Sequence, residues 1–113
     1  MVYDKIGGFQ QKRGNIGAAQ INYKEALDIR QKTLNPKHQA IGTSYLNLAN
    51  IHRQKENFQR ARDLLQQALA IKQEQLYEHH PSIANTYLAM ANIAKDQGDF
   101  SNTLAHLQTA LVH

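Results

Sequence analysis

The chain has 113 residues, with 13 basic against 9 acidic side chains for a net charge of +4, and no cysteine. That length admits one modest core and is too short for two. Disulfides, thiolate nucleophiles and cysteine-bound zinc are excluded, and no run approaches the roughly 18–20 apolar residues of a membrane span, so a cytoplasmic protein is expected.

Taken in order, the segment from Tyr3 predicts a shortened helix that contains Gly7 and Gly8. Glycine inside a helix costs roughly 0.5–1 kcal/mol relative to alanine, so this helix is expected to be soft. Ile16, Ala19, Ala26 and Leu27 mark a second helix, and Asn35-Pro36 punctuates the connection that follows. Ile41, Tyr45, Leu48, Ala49 and His52 then fall at i, i+4, i+7, i+8 and i+11, the stripe that a helix buries. After the polar patch Lys55-Glu56-Asn57, the residues Phe58, Ala61, Leu65, Ala68, Leu69, Lys72 and Leu76 set up another stripe. His80-Pro81 opens a third round, with Ile83, Tyr87, Met90, Ala91 and Ala94, the turn Gln97-Gly98-Asp99, and finally Phe100, Leu104, Leu107, Ala110 and Leu111. Gly98 suits a left-handed turn and Asp99 the cap of the next helix. Pro36 and Pro81 stand three residues apart in the repeating frame, which predicts that the middle copy's first helix starts about one turn earlier.

The frame is 42 residues long. Tyr3, Tyr45 and Tyr87 are spaced by 45−3 = 42 and 87−45 = 42, and the same shift aligns Ile16, Phe58 and Phe100, then Ala26, Ala68 and Ala110, then Leu27, Leu69 and Leu111. Such self-similarity is the mark of a stacked array in which each unit shelters its neighbour's apolar face. The expected fold is all-α, a solenoid of antiparallel helix pairs with five to six helices in about 113/42 = 2.7 units. Residues 1–113 form a single domain in this reading: 1–34 a truncated first unit, 35–76 a complete second, and 77–113 a third that lacks its last turn. Small alanines on bulky faces allow the helices of a pair to approach closely.

The strings Tyr45-Leu46-Asn47-Leu48-Ala49-Asn50-Ile51-His52 and Tyr23-Lys24-Glu25-Ala26-Leu27-Asp28-Ile29-Arg30-Gln31-Lys32-Thr33-Leu34 resemble tetratricopeptide repeats. The usual repeat of that family has 34 residues. A 42-residue unit, with Leu76 ahead of His80-Pro81 and Ile83-Ala84, is similar to the kinesin light chain type. The resemblance covers the whole chain and implies a right-handed superhelix whose first helices, one per unit, line a concave groove. Tyrosine stands where that family often has tryptophan, His52 where an aromatic is usual, and Thr103 where Ala19 and Ala61 are small.

If Tyr45, Leu48 and Ala49 face the partner helix, Thr43, Leu46, Asn47, Asn50, Arg53 and Gln54 share the opposite stripe. One unit later the stripe becomes Asn85, Leu88, Ala89, Asn92, Lys95 and Asp96, and in the first unit Asp4, Lys5, Gly8, Gln11 and Lys12. The candidate peptide-binding residues are therefore Thr43, Leu46, Asn47, Asn50, Arg53, Asn85, Leu88, Asn92 and Lys95. Asparagine amides offer donors and an acceptor to an extended backbone, Arg53 and Lys95 would hold acidic side chains, and Leu46 and Leu88 favour a hydrophobic anchor. The competing reading is that Asn50 and Asn92 bond neighbouring helices while Leu46 and Leu88 fill space. A carboxylate clamp of the chaperone-tail type, as the resemblance defines it, needs a lysine where Leu46 and Leu88 stand.

Six histidines do not form a ligand set by spacing, and no phosphate loop or nucleophile motif occurs, so no enzyme, metal or cofactor is expected. The expected partner is a protein or peptide with acidic or polar residues around a hydrophobic anchor, with no membrane. Basic residues are dispersed and read as a solvated face, which leaves nucleic-acid binding a distant third. The second reading is a structural segment: Phe100, Leu104, Leu107 and Leu111 lack a following repeat to cover them, which predicts self-association into a homodimer through the solenoid ends.

Overall fold

A computed structural model describes residues 2–35, 38–75 and 81–112. The loop positions Pro36, Leu76, His79 and His80, and His113 at the end, lie outside those residues. Among the described residues there are six α-helices and no strand: α1 (Val2–Lys12), α2 (Ile16–Thr33), α3 (Gln39–Gln54), α4 (Phe58–Gln75), α5 (Pro81–Asp96) and α6 (Phe100–Leu111). Helices pair as α1 with α2, α3 with α4 and α5 with α6, and the pairs join through α2 against α3 and α4 against α5.

The 42-residue frame is kept to the residue. Helices α2, α4 and α6 begin at positions 16, 58 and 100, and α1, α3 and α5 end at 12, 54 and 96. Helices α3 and α5 also begin in register, since 81−39 = 42, so the middle unit does not gain the extra turn that Pro36 suggested. Its start is set by His38 instead, in an extended conformation (φ −67°, ψ 135°), whose Nδ1 accepts from the Ala40 amide at 3.0 Å.

Each turn within a pair has the same construction. The amides of Asn15, Asn57 and Asp99 donate to the carbonyls of Gln10, His52 and Ala94 at 2.8, 2.8 and 2.9 Å, closing the preceding helix with a left-handed residue just before the donor. That residue is Gly14 (φ 80°), Glu56 (φ 61°) and Gly98 (φ 75°). Two units use glycine, as expected for Gly98, and the middle one holds glutamate there against the steric preference of an L-residue. Asp99 caps α6 by accepting from the Asn102 amide at 3.2 Å.

The core is made of Ala19, Tyr23, Leu48, Ala49, Ile51, Ala61, Leu64, Leu65 and Ile93. Ile51 and Ile93 lie outside the stripes read from the sequence, yet each is buried. An interior helix packs on the preceding pair as well as on its own partner, so its apolar face is wider than a single stripe. Their counterpart in α1, Phe9, is 60% exposed.

Gly7 corresponds to Ala49 and Ala91, and Tyr23 to Leu65 and Leu107. A Cβ on Gly7 would meet the Tyr23 ring at 2.9 Å. The first unit thus trades a methyl group on α1 for a larger ring on α2, and the glycine read as a weakness is the notch that seats Tyr23. Burial, and then the charge of Asp4, push the Tyr23 phenol above its ordinary pKa, while its hydroxyl donates to Gln11 Oε1 at 3.0 Å. Gly7→Ala is expected to destabilise the chain by about 1–2 kcal/mol, because overpacking outweighs the gain in helix propensity. Adding Tyr23→Leu, which recreates the pairing of the second unit, should recover most of that loss. Chemical denaturation of the two single variants and the double checks this; additive losses would remove the notch argument.

Candidate functional site

The stripe of candidate residues lies on α3 and α5. Asn50 is half-buried and Asn92 exposed, one unit apart. Among the described residues the amides of Asn47, Asn50, Asn85 and Asn92 have no hydrogen-bond partner within the chain. Among the described residues neither Asn50 nor Asn92 bonds a neighbouring helix through its side chain. The two leucines separate. Leu46 is half-buried and packs against the core, whereas Leu88 is 42% exposed. Thr43 is engaged by its own scaffold: its hydroxyl donates to the Gln39 carbonyl at 3.3 Å and accepts from Lys72 Nζ at 3.5 Å.

The charged end of the stripe is organised into rungs. Arg53 Nε donates to Asp96 Oδ2 at 2.7 Å, tying α3 to α5. One unit earlier Gln11 Nε2 donates to Gln54 Oε1 at 2.7 Å and ties α1 to α3. Both rungs span the same register, 54−11 = 43 and 96−53 = 43. Arg53 is therefore already committed to a carboxylate of its own chain, while Lys95 is exposed and makes no ion pair among the described residues. Asp4, placed on the open stripe from sequence, turns inward to the guanidinium of Arg30.

That pair belongs to a feature the sequence reading missed. Arg30, counted with the solvated basic residues, and Lys72, which shares the apolar stripe of its helix, are both buried. Arg30 Nη1 donates to Ser44 Oγ at 2.7 Å and to the Ala40 carbonyl at 3.2 Å, and Nη2 donates to Asp4, so one side chain joins α1, α2 and α3. Lys72 and the buried Thr86 occupy the equivalent positions one unit on, and burial lowers the Lys72 pKa. The signal was present: a cation at 30 and 72 and a hydroxyl at 44 and 86 each recur at 42 residues. The tyrosines repeat their surroundings too, with Tyr45 and Tyr87 accepting from Gln31 at 3.3 Å and Gln73 at 3.4 Å.

A family profile described as Tetratricopeptide repeat matches residues 1–74 of the chain. The chain belongs to the tetratricopeptide repeat family. Among solved structures it is similar to BtubC (BKLC) from P. vanneervenii, at 22% identity and a TM-score of 0.83 over 96% of this chain and 44% of that one. It is equally similar to the nearly identical tetratricopeptide-like repeats of a kinesin light chain candidate from Podosopora anserina. The identity is again 22%, the TM-score 0.86, and the match covers 98% of this chain and 53% of that one. A single-substitution form of the latter gives 22%, 0.84, 98% and 52%. The chain thus spans about half the length of these neighbours, whose shared fold is the kinesin light chain-like solenoid of helix pairs. No curated protein sequence matches it. Repeats of this family mediate protein–protein interaction, and at that level the role applies here. No helix among the described residues is long and apolar enough to cross a membrane.

The two ion pairs differ in burial, which separates their energetic roles. Side-chain exposure is 9% for Arg30 and 19% for Asp4, against 34% for Arg53 and 31% for Asp96. Asp4→Asn leaves a buried guanidinium without its anion and is expected to cost about 2–3 kcal/mol. Asp96→Asn at the exposed rung should cost under about 1 kcal/mol and become neutral in high salt. Denaturation in low and high salt distinguishes them; equal losses would contradict the burial argument.

Proposed function

We propose that this chain is a non-catalytic interaction scaffold that holds an extended peptide along the open stripe of its odd-numbered helices, the concave side of the array. The observation that carries this reading is the pair of unpartnered amides of Asn50 and Asn92, one repeat apart on α3 and α5. An amide free in the folded chain is available to a peptide backbone without breaking an internal bond. Leu88 supplies an exposed apolar contact for a hydrophobic anchor, and Lys95 supplies the uncommitted cation for a flanking acid. Arg53 contributes only by sharing or releasing Asp96, which makes it the weaker of the two cations for a partner. Asn50→Ala with Asn92→Ala should weaken binding of an acid-flanked hydrophobic peptide by about tenfold, at about 1 kcal/mol or less per lost amide contact. Fluorescence anisotropy on a peptide array, with thermal melts as a folding control, measures it. An unchanged Kd would end the groove reading.

A second reading rests on the exposure of α6. Phe100 is 76% exposed, Leu104 58% and Leu111 86%, whereas Leu65, the α4 counterpart of Leu107, is fully buried. An apolar surface of this kind favours association with a second copy. Light scattering across concentration should show a dimer that Leu104→Lys with Leu111→Lys abolishes; a monomer throughout removes this reading.

A further inference from the structure

Helices α2 and α4 both pack on α3, and between them lies a cleft of about 430 Å³. That volume falls within the ~300–1,000 Å³ common to ligand clefts. Its apolar surface comes from Leu27, Leu48 and Leu64, and its polar rim from Lys24, Asp28, His52 and Arg60. His52 is two residues from Asn50, about 200° around the α3 axis, so the cleft opens across α3 from the asparagine stripe.

The cleft's charge is not a product of the repeating fold. One unit later the positions of Lys24, Asp28, His52 and Arg60 hold Gln66, Ala70, Ala94 and Asn102. Lys24 and Arg60 are exposed and make no ion pair among the described residues. Lys55, on the turn beside them, is held by Gln20 Oε1 at 2.7 Å. Against these three cations the lining offers one acid, Asp28. The Nδ1 of His52 is enclosed without a partner, which leaves Nε2 as the ring's polar contact with the cleft. Burial first, then the charges of Arg60 and Lys55, hold His52 below its ordinary pKa, so it sits neutral in a positive field.

We propose that the α2–α4 cleft is a second recognition site, on the opposite side of α3 from the stripe, which takes an acidic side chain and an adjacent apolar residue of a protein partner. The carboxylate lies among Lys24, Arg60 and the Nε2 of His52, and the apolar residue covers Leu27, Leu48 and Leu64. A carboxylate arriving there favours the charged imidazole, so binding is accompanied by proton uptake at His52. Lys24 and Asp28 on α2, Lys55 on the turn and Arg60 on α4 are the charged groups that face it.

The test uses the 113-residue chain with acetyl-Leu-Glu-Glu-amide and its uncharged counterpart acetyl-Leu-Gln-Gln-amide, followed by histidine ring and backbone NMR. The acidic peptide should shift the His52 ring and the amides around Lys24 and Arg60, raise the His52 pKa, and bind at least about fivefold more tightly than the glutamine peptide. Lys24→Gln with Arg60→Gln, both exposed and so compatible with folding, should remove that preference. Asn50→Ala with Asn92→Ala should leave it intact, which keeps this site distinguishable from the stripe. Equal binding of the two peptides, an unmoved His52 pKa, or shifts confined to the Asn50 and Asn92 face would each overturn the proposal.

Discussion

The structure depends on the junction at which the second helix of one unit meets the first helix of the next. A helix pair alone leaves one apolar flank in water, and the array is stable because the following pair covers it. At the first junction this contact is centred on Arg30, whose fork reaches Asp4, Ala40 and Ser44 on two other helices. Desolvating a guanidinium is costly unless its donors are satisfied in good geometry, so the three contacts set how α1, α2 and α3 meet. At the second junction Lys72 takes the place of Arg30, and Leu46 stands at the position equivalent to Asp4. The same buried slot is thus filled by a compact ammonium in place of a guanidinium, and burial depresses its basicity.

Repetition at the junction is what aligns the candidate stripe. The three turns at Gly14, Glu56 and Gly98 share one hydrogen-bond pattern, and the junction bonds recur at a separation of 14 residues, as in Gln31 with Tyr45 and Gln73 with Tyr87. With both angles repeated, residues 42 apart point the same way, and Asn50 and Asn92 become neighbours along one face. The rungs Gln11–Gln54 and Arg53–Asp96 run along that face and tie each odd-numbered helix to the next. They draw on side chains that would otherwise serve a ligand, so the stripe combines scaffold contacts at its charged end with free amides in its middle.

Helix α3 is flanked by a helix of the preceding pair on one side and of the following pair on the other, and it shows two chemically distinct faces. The stripe repeats on α5, as a surface shaped by the array would. The cleft behind α3 does not repeat in chemistry, because His52 and the cations around it have neutral counterparts in the next unit. Features that recur follow from the packing of the fold, and features that do not are where one unit departs from its neighbours. Gly7 with Tyr23 is a departure in shape; His52 with Arg60 is a departure in charge.

The repeat length, helix order and family were legible in the chain itself, because a 42-residue shift aligns aromatic and small residues that only stacked helix pairs require. The candidate stripe was legible too, since helical periodicity places Thr43, Leu46, Asn47, Asn50 and Arg53 on one side whatever the surroundings. What periodicity cannot supply is which of those side chains are already occupied. Arg53 and Asp96 lie 43 residues apart, as do Gln11 and Gln54, and such pairs exist only once two helices from different units stand side by side. The burial of Arg30 was decided in the same way: it is a long polar side chain on its own helix, and only the neighbouring helices turn its position into an interior. Ile51 became core for that reason, and the α2–α4 cleft exists only in the gap that three packed helices leave.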